Sequence, residues 1–438
     1  MFEASPSPAR ILGVSGIAFA SFNCVVGAGI FGLPALAAAA LGPAAILGYL
    51  VSSVLLVLVS LCLAEIGSRV TEAGGPFAYA TVSFGPVIGG VVGTLTWASC
   101  VTGTAAVANI WVDALAMSWP ALSAAGPRAA LILSLYTGLA VVNVRGARQG
   151  SRLSAALAVA KLVPLVGLVA VGLTAIDAAN LRWTTAPSFA AVGDATVLIF
   201  FAFVGIEGGL CASAEVRDPR RTIPRAIFFA VLLVAGLYIG LQVVAQGVLG
   251  SELPRSTTPL VRIAEVVLGP WGARFMIATI LVSTSGFLVA DALCSPRVVY
   301  ALAAQRQLPG ILAAINQKFG TPAAAIWLYC GLSALLAVTG AFRPLAVFTS
   351  ATTLVSYSIC CLGLLALRSR NVEQAGVSFR VPGGPIVPLI ATALVGWLLF
   401  SLRREDLLAT LVLIAVSTLV YGVLAKVRRT ANAQASVG

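Results

Sequence analysis

Three ionisable residues, Lys161, Glu207 and Asp291, stand inside stretches that are otherwise apolar. A charge near the centre of a bilayer costs about 2.5–3.5 kcal/mol on insertion scales, so such residues usually mark a solute pathway or a proton relay. Glu207 sits in Phe203-Val204-Gly205-Ile206-Glu207-Gly208-Gly209-Leu210. It reads either as a proton carrier or as a carboxyl that bridges two helices. Lys161 and Asp291 lie at similar depths of two other apolar segments, which predicts that they face each other as an ion pair. The competing expectation is that Lys161 snorkels to the interface. Phe287 and Asp291 are one helical turn apart and share a face, so if Phe287 lines a cavity, Asp291 points inward below it. The chain has no histidine, which leaves proton transfer to these carboxylates and the lysine. No His–Cys, His–Asp or metal-binding cluster exists, so no catalytic site, metal or cofactor is expected. The eight cysteines (24, 62, 100, 211, 294, 330, 360 and 361) all fall in apolar segments without a CxxC pair. They read as small buried hydrophobes rather than disulfide or metal partners.

The elements that must position these groups are helices. Of the 438 residues, 59% are hydrophobic and 10% charged, against about 25% charged in soluble domains. A spanning helix needs about 20 apolar residues. Runs of that kind are expected at 11–40, 43–66, 84–111, 127–144, 152–175, 191–213, 223–248, 271–300, 322–341, 343–367, 384–401 and 406–427. Turn residues separate them, as at Gly42-Pro43, Gly85-Pro86, Gly269-Pro270 and Gly383-Gly384-Pro385. The segment 249–270 is the longest loop on its side and mixes charged and apolar residues. The fold expected is an all-α membrane protein of about twelve transmembrane helices. Its parts are a tail (1–10), a first repeat (11–175), a second repeat (191–367), two further helices (384–427) and a second tail (428–438).

Of the 27 basic residues, 19 fall on the side holding the N-terminus and 8 on the other. That asymmetry expects the richer side to be cytoplasmic, with both ends of the chain there, in an inner membrane. The net charge of +12 is therefore read as topological, not as a nucleic-acid patch. Met1–Arg10 lacks the features of a cleavable signal, so the first helix is expected to remain as an anchor.

Two segments break the apolar pattern in the same way. The first is Phe22-Asn23-Cys24-Val25-Val26-Gly27-Ala28-Gly29-Ile30-Phe31-Gly32-Leu33-Pro34, and the second is the stretch around Gly205 and Glu207. Glycine costs about 1 kcal/mol against alanine within a helix. Span 1 opens one group of five helices and span 6 the other. Glycine-interrupted segments in matching places point to an inverted repeat with a binding site at the breaks; the alternative is that the glycines only permit close helix packing. At such a break the N–H groups of the following half-helix suit a carboxylate, and freed carbonyls around Phe203 to Ile206 suit an ammonium. A zwitterion is thereby held by backbone. The expected partner is a small amine-bearing solute, an amino acid or a polyamine.

These residues resemble the amino acid–polyamine–organocation transporters. The likeness is carried by Gly27-Ala28-Gly29-Ile30-Phe31-Gly32-Leu33-Pro34, by Glu72 to Tyr79, by Phe200 to Glu207, by Glu215 to Arg225, and by Pro296 to Ala303 with Gly320-Thr321-Pro322 downstream. The resemblance implies a secondary transporter with a five-plus-five inverted repeat, helices 1 and 6 broken at the substrate site, and helices 3 and 8 completing it. It implies that Gly27, Ala28 and Gly29 meet the substrate carboxylate. Phe201, Phe203 and Gly205 would line the pocket or its gate, with Cys100 and Thr104 as contacts from helix 3. It matches Glu207 to a glutamate of arginine/agmatine exchangers and putrescine carriers, and Lys161 to the helix-5 lysine of proton-coupled carriers. Ala28 stands where serine is common, and Phe201 where an exchanger gate has tryptophan. Asp291 matches no position of the family pattern. The function expected is amino acid transport by alternating access, proton-coupled or exchanging, with a polyamine or basic amino acid antiporter as the alternative. The partners expected are the solute, protons and the bilayer, with a homodimer left open.

Overall fold

The computed structural model describes residues 14, 22, 25–27, 29–70, 75–145, 151–183, 185–206, 219–305, 307–374 and 379–435. These residues form helices α1 (Gly29–Leu41), α2 (Ile46–Arg69), α3 (Pro76–Phe84), α4 (Pro86–Ala116), α5 (Ala125–Val144), α6 (Ser151–Gly172) and α7 (Phe189–Phe200). They continue as α8 (Pro219–Leu249), α9 (Pro259–Cys294), α10 (Pro296–Ala304), α11 (Ala323–Thr339), α12 (Phe342–Ser369), α13 (Ile386–Phe400) and α14 (Arg404–Ala435). Among the described residues no strand forms beyond one isolated bridge, Asn316 to Thr321. Seven helical runs are long and apolar enough to cross a membrane, and four shorter apolar helices accompany them.

Where their residues are described, the expected spans fall on these helices; most of 11–28 and all of 207–213 lie outside the described residues, the short helix α3 was not expected, and the segment 249–270 differs in kind. The span expected at 271–300 is covered by α9 and α10, which are separated only at Ser295, itself helical in φ and ψ, before Pro296. The segment expected as a loop at 249–270 is largely helical: a 3₁₀ turn covers Gly250–Arg255 and α9 begins at Pro259. Gly269 interrupts α9 with φ 70° and ψ −165°, a conformation open to glycine and closed to most other residues. Pro270 then restarts the helix, where its missing N–H costs nothing.

Both predicted interruptions are found. Val25 is helical, Val26 and Gly27 form a bend, and helix resumes at Gly29. Farther along, α7 ends at Phe200, a tight 3₁₀ turn covers Phe201–Phe203, Val204 is extended, and Gly205 takes φ 114°. Ile206 is helical again.

Helices of the two halves pack in matching pairs: α1 on α7, α2 on α8, α4 on α9, and α5 on α11. The contact of α4 with α12 has its counterpart in α9 with α6. Helices α13 and α14 lean against this bundle on α12 and α4. An aromatic group of Tyr49, Phe200, Phe203, Tyr238 and Tyr357 fills the space beside the second break.

At one end of the bundle a buried carboxylate ties three segments together. Glu65 of α2 is 0% exposed. It accepts from Arg69 Nε at 3.0 Å and Nη2 at 2.8 Å, from Arg368 Nε at 2.9 Å and Nη2, and from the Val381 backbone N–H at 2.7 Å. Arg368 also donates to the Gly384 carbonyl at 2.6 Å. A buried charge is tolerated only when its lone pairs are filled in this way. From the sequence the basic residues, these arginines among them, are read as topological, and Glu65 is passed over. The visible signal was a carboxylate one helical turn before Arg69, inside an apolar span.

Candidate functional site

The two breaks face each other across a cavity of about 130 Å³. The first break contributes Val25, Gly27 and Gly29; the second contributes Phe201, Ala202, Val204 and Gly205. Helix α4 adds Ser99, Cys100, Gly103 and Val107, α9 adds Phe287 and Asp291, and α12 adds Thr349. The α4 residues recur every three or four positions and so form one stripe of that helix.

The helix ends give the cavity its polarity. The N-terminus of α1 opens at Gly29, where unpaired N–H groups and the helix dipole favour an anion. The C-terminus of α7 arrives at the other side, and its last carbonyls favour a cation. The approach is tight. A Cβ on Gly29 would meet Phe201 Cδ1 at 2.9 Å and Ala202 Cα at 3.0 Å. A Cβ on Gly27 would meet only Phe287 Cδ2, at 3.7 Å, and the Val25 carbonyl at 3.8 Å.

Carbonyls freed by the breaks are held by side chains from other helices. The Tyr238 hydroxyl of α8 lies 3.2 Å from Val25 O and 3.0 Å from Ala202 O, sharing its one proton between the two interrupted segments. Lys161 of α6, 8% exposed, donates from Nζ to Val26 O. The sequence reading gave Lys161 to Asp291. Instead, Asp291 accepts from Ser295 Oγ at 2.7 Å and from the Tyr329 hydroxyl, and no ion pair joins it to Lys161 among the described residues. Unwinding at Val26 and Gly27 turns the Val26 carbonyl out of the helical ladder, where the ammonium reaches it.

Of the residues singled out from the sequence, Gly27, Gly29, Cys100, Phe201, Gly205, Phe287 and Asp291 line this cavity. Two do not. Phe203 is 0% exposed and turned away, its ring 5.1 Å from that of Tyr238. Thr104, at the edge of the α4 stripe, does not line the cavity and accepts from the Tyr136 hydroxyl at 3.5 Å. Ala28 and Glu207 fall outside the described residues. The sequence reading missed Ser99, Gly103, Val107 and Thr349. The helical period starting from Cys100 gives Gly103 and Val107; Thr349 comes from a helix that the motifs did not implicate.

The polar side chains here are partly engaged. Thr349 donates to Leu345 O at 2.8 Å and shares a 2.7 Å hydrogen bond with Thr102, while Ser99 donates to Thr96 O at 2.8 Å. Among the described residues no group of three or more His, Cys, Asp or Glu side chains could hold a metal ion. Phe201, which lines the cavity, also packs on Phe342, the first residue of α12.

An apolar helical bundle with a small cavity between two interrupted helices is the architecture of a membrane transporter. The family described as amino acid permease matches residues 12–429, and the chain belongs to that family. It is a transporter, not an enzyme, and sits in the membrane as a multi-pass protein. It is 26% identical over 437 residues to a methylthioribose transporter of Bacillus subtilis, covering 95% of this chain and 94% of that protein. It is 22% identical over 430 residues to a branched-chain amino acid permease of the same organism, covering 94% and 92%. To the mouse cationic amino acid transporter 4 it is 27% identical over 409 residues, covering 86% of this chain and 61% of that one.

Proposed function

We propose that the chain is a secondary active transporter that moves small neutral amino acids across the inner membrane by alternating access, driven by protons. The observation that carries this reading is the cavity between the two breaks, where a helix N-terminus and a helix C-terminus oppose each other. A zwitterion satisfies both: its carboxylate at Gly29 and its ammonium at the carbonyls of Phe201 to Val204. The space left for a side chain is modest and bounded by Val25, Val107, Val204, Phe201 and Phe287. A cavity of about 150 Å³ accepts benzene, so the 130 Å³ here suits a solute of similar size. The branched-chain amino acid permease among the relatives supports an aliphatic side chain.

The matched packing of α1, α2, α4 and α5 on α7, α8, α9 and α11 supports two inverted repeats, 11–175 and 191–367, that rock against each other. The distribution of basic residues, 19 against 8, supports cytoplasmic termini. That orientation puts the Glu65 cluster inside and the start of α12 outside. Asp291 is the described carboxylate that faces the cavity, and we assign it, with Glu207 and Lys161, to proton coupling. A second reading has one observation in its favour. A carboxylate beside the substrate also suits a cationic side chain, as a basic amino acid or polyamine antiporter would require.

Purified protein in liposomes tests both readings. Amino acids and polyamines are presented with and without a pH gradient or internal counter-substrate. The first reading expects gradient-driven uptake of small aliphatic amino acids. Exchange confined to cationic solutes selects the second, and no movement of any of them under any condition removes both.

A further inference from the structure

A second cavity, of about 230 Å³, lies away from the transport site, between α6 and α9. No charged or hydrogen-bonding side chain lines it. Its origin lies in the backbone. Pro164 and Gly167 leave α6 without bulk on this face, and a Cβ built on Gly167 meets nothing within 4 Å. Across from them α9 folds back at Gly269, and Gly272 packs so close that its Cβ would lie 2.3 Å from the Ala264 carbonyl.

The groove opens towards lipid: Val163 is 63%, Leu268 50% and Phe275 56% exposed on its rim. Apolar cavities of this kind stay dry and take apolar guests. If about 150 Å³ holds benzene, this volume holds about nine carbons, a length of acyl chain.

The same stretch of α9 carries an exposed cation–π pair next to the groove. Trp271 is 76% exposed, and the Arg274 guanidinium lies 5.2 Å over its ring. Tryptophan concentrates at the membrane–water interface, and a guanidinium fork matches phosphate geometry. The nearby Arg262 is occupied by Glu265 at 2.6 Å, whereas Arg274 pairs with no carboxylate among the described residues.

We propose that this groove is a phospholipid site, with an acyl chain between α6 and α9 and an anionic headgroup on Arg274. The site is independent of which solute the transporter carries.

Native mass spectrometry of the delipidated full chain, titrated with phosphatidylglycerol and phosphatidylethanolamine of identical chains, tests it. Wild type should retain one phosphatidylglycerol, about fivefold tighter than phosphatidylethanolamine, the effect of roughly one interfacial charge. Gly167→Phe should weaken retention of both lipids at least tenfold by filling the groove. Arg274→Gln should still bind while losing the headgroup preference. If Gly167→Phe fails to fold, Leu268→Trp at the exposed rim fills the same space. Equal retention by the filled and wild-type proteins overturns the proposal, as does an unchanged headgroup preference in Arg274→Gln. A wild-type dimer that the filling variants dissolve would make a second copy the occupant and also overturn it.

Discussion

The rings of Phe201 and Phe342 meet edge to face, with centroids 5.6 Å apart and planes at 86°. Phe201 lines the cavity we propose for the solute, and Phe342 opens α12 on the side we propose as outer. The pair therefore joins the second break to a helix of the surrounding scaffold. Such pairs contribute about 0.5–1.5 kcal/mol beyond their buried area. Phe342→Ala should raise KM for the transported amino acid roughly threefold to tenfold, by the same energy converted to an equilibrium ratio. Phe201→Ala should do the same, and the double variant should be no worse than either single one. Strictly additive effects in counterflow assays would show that the two rings act separately.

Gly27 and Gly29 differ in the space around them, which separates their roles. Alanine at 29 would drive a methyl into Phe201 and the Ala202 backbone, at 2.9 and 3.0 Å. Alanine at 27 meets nothing nearer than 3.7 Å. Gly29→Ala should therefore push the two breaks apart and reduce transport by about 5- to 150-fold, as overpacking costs of about 1–3 kcal/mol imply. Gly27→Ala should retain most of the activity. Uptake rates at matched expression decide the matter, and the opposite ranking would mean that backbone flexibility rather than close approach governs the first break.

Much of this architecture is legible in the residues themselves, and the exceptions have a common cause. Apolar run length and Gly-Pro turns locate the helices because lipid leaves the backbone no alternative to helix. The glycines at 27, 29 and 205 announce both breaks because unwinding is cheapest there. Side-chain direction inside a break is a different matter. Phe201 and Phe203 are both aromatic and two apart, yet a 3₁₀ turn sends one into the cavity and the other towards Tyr49 and Tyr238. The partner of Lys161 was misread because the Val26 carbonyl becomes available only once the helix has opened, and nothing in residue type records that. Glu65 was passed over because its partners Arg368 and Val381 are about 300 residues away in the chain.

That Glu65 cluster makes a stability prediction. Removing its charge leaves two guanidinium groups around a buried neutral amide, and breaking a buried charge network costs about 3–5 kcal/mol. Glu65→Gln should therefore lower the thermal stability of the detergent-solubilised protein markedly. Glu373→Gln, at a carboxylate 34% exposed and 3.5 Å from both Arg69 and Arg380, should change it by about 1 kcal/mol or less. Comparable shifts for the two variants would show that Glu65 is not the centre of the cluster.

Cys100 is a cavity-lining thiol, while Cys62, Cys330, Cys360 and Cys361 are buried and Cys294 is exposed. In a Cys294→Ala background, a small thiol reagent should inhibit transport by modifying Cys100, and a transported amino acid should slow that modification. Cys100→Ala should be insensitive while still transporting. Inhibition that persists in Cys100→Ala, or that substrate leaves unaltered, would separate this thiol from the substrate path.

Asp291 tests the coupling mode directly. Its two oxygens are oriented by Ser295 and Tyr329, from α9 and its end and from α11, and the same carboxylate faces the cavity. A group that carries a proton must be able to lose it, whereas a group that only shapes the cavity need not. Asp291→Asn keeps the shape and most of the hydrogen bonding, so it should abolish uptake driven by a pH gradient while leaving exchange of internal for external amino acid intact. Tyr329→Phe removes a donor from the carboxylate without removing its charge. It should slow both modes by the roughly 10- to 150-fold that a hydrogen bond of about 1.5–3 kcal/mol to a charged group implies. Gradient-driven uptake that survives Asp291→Asn would shift the coupling role to Glu207 or Lys161. Loss of exchange together with driven uptake would instead make Asp291 a substrate contact.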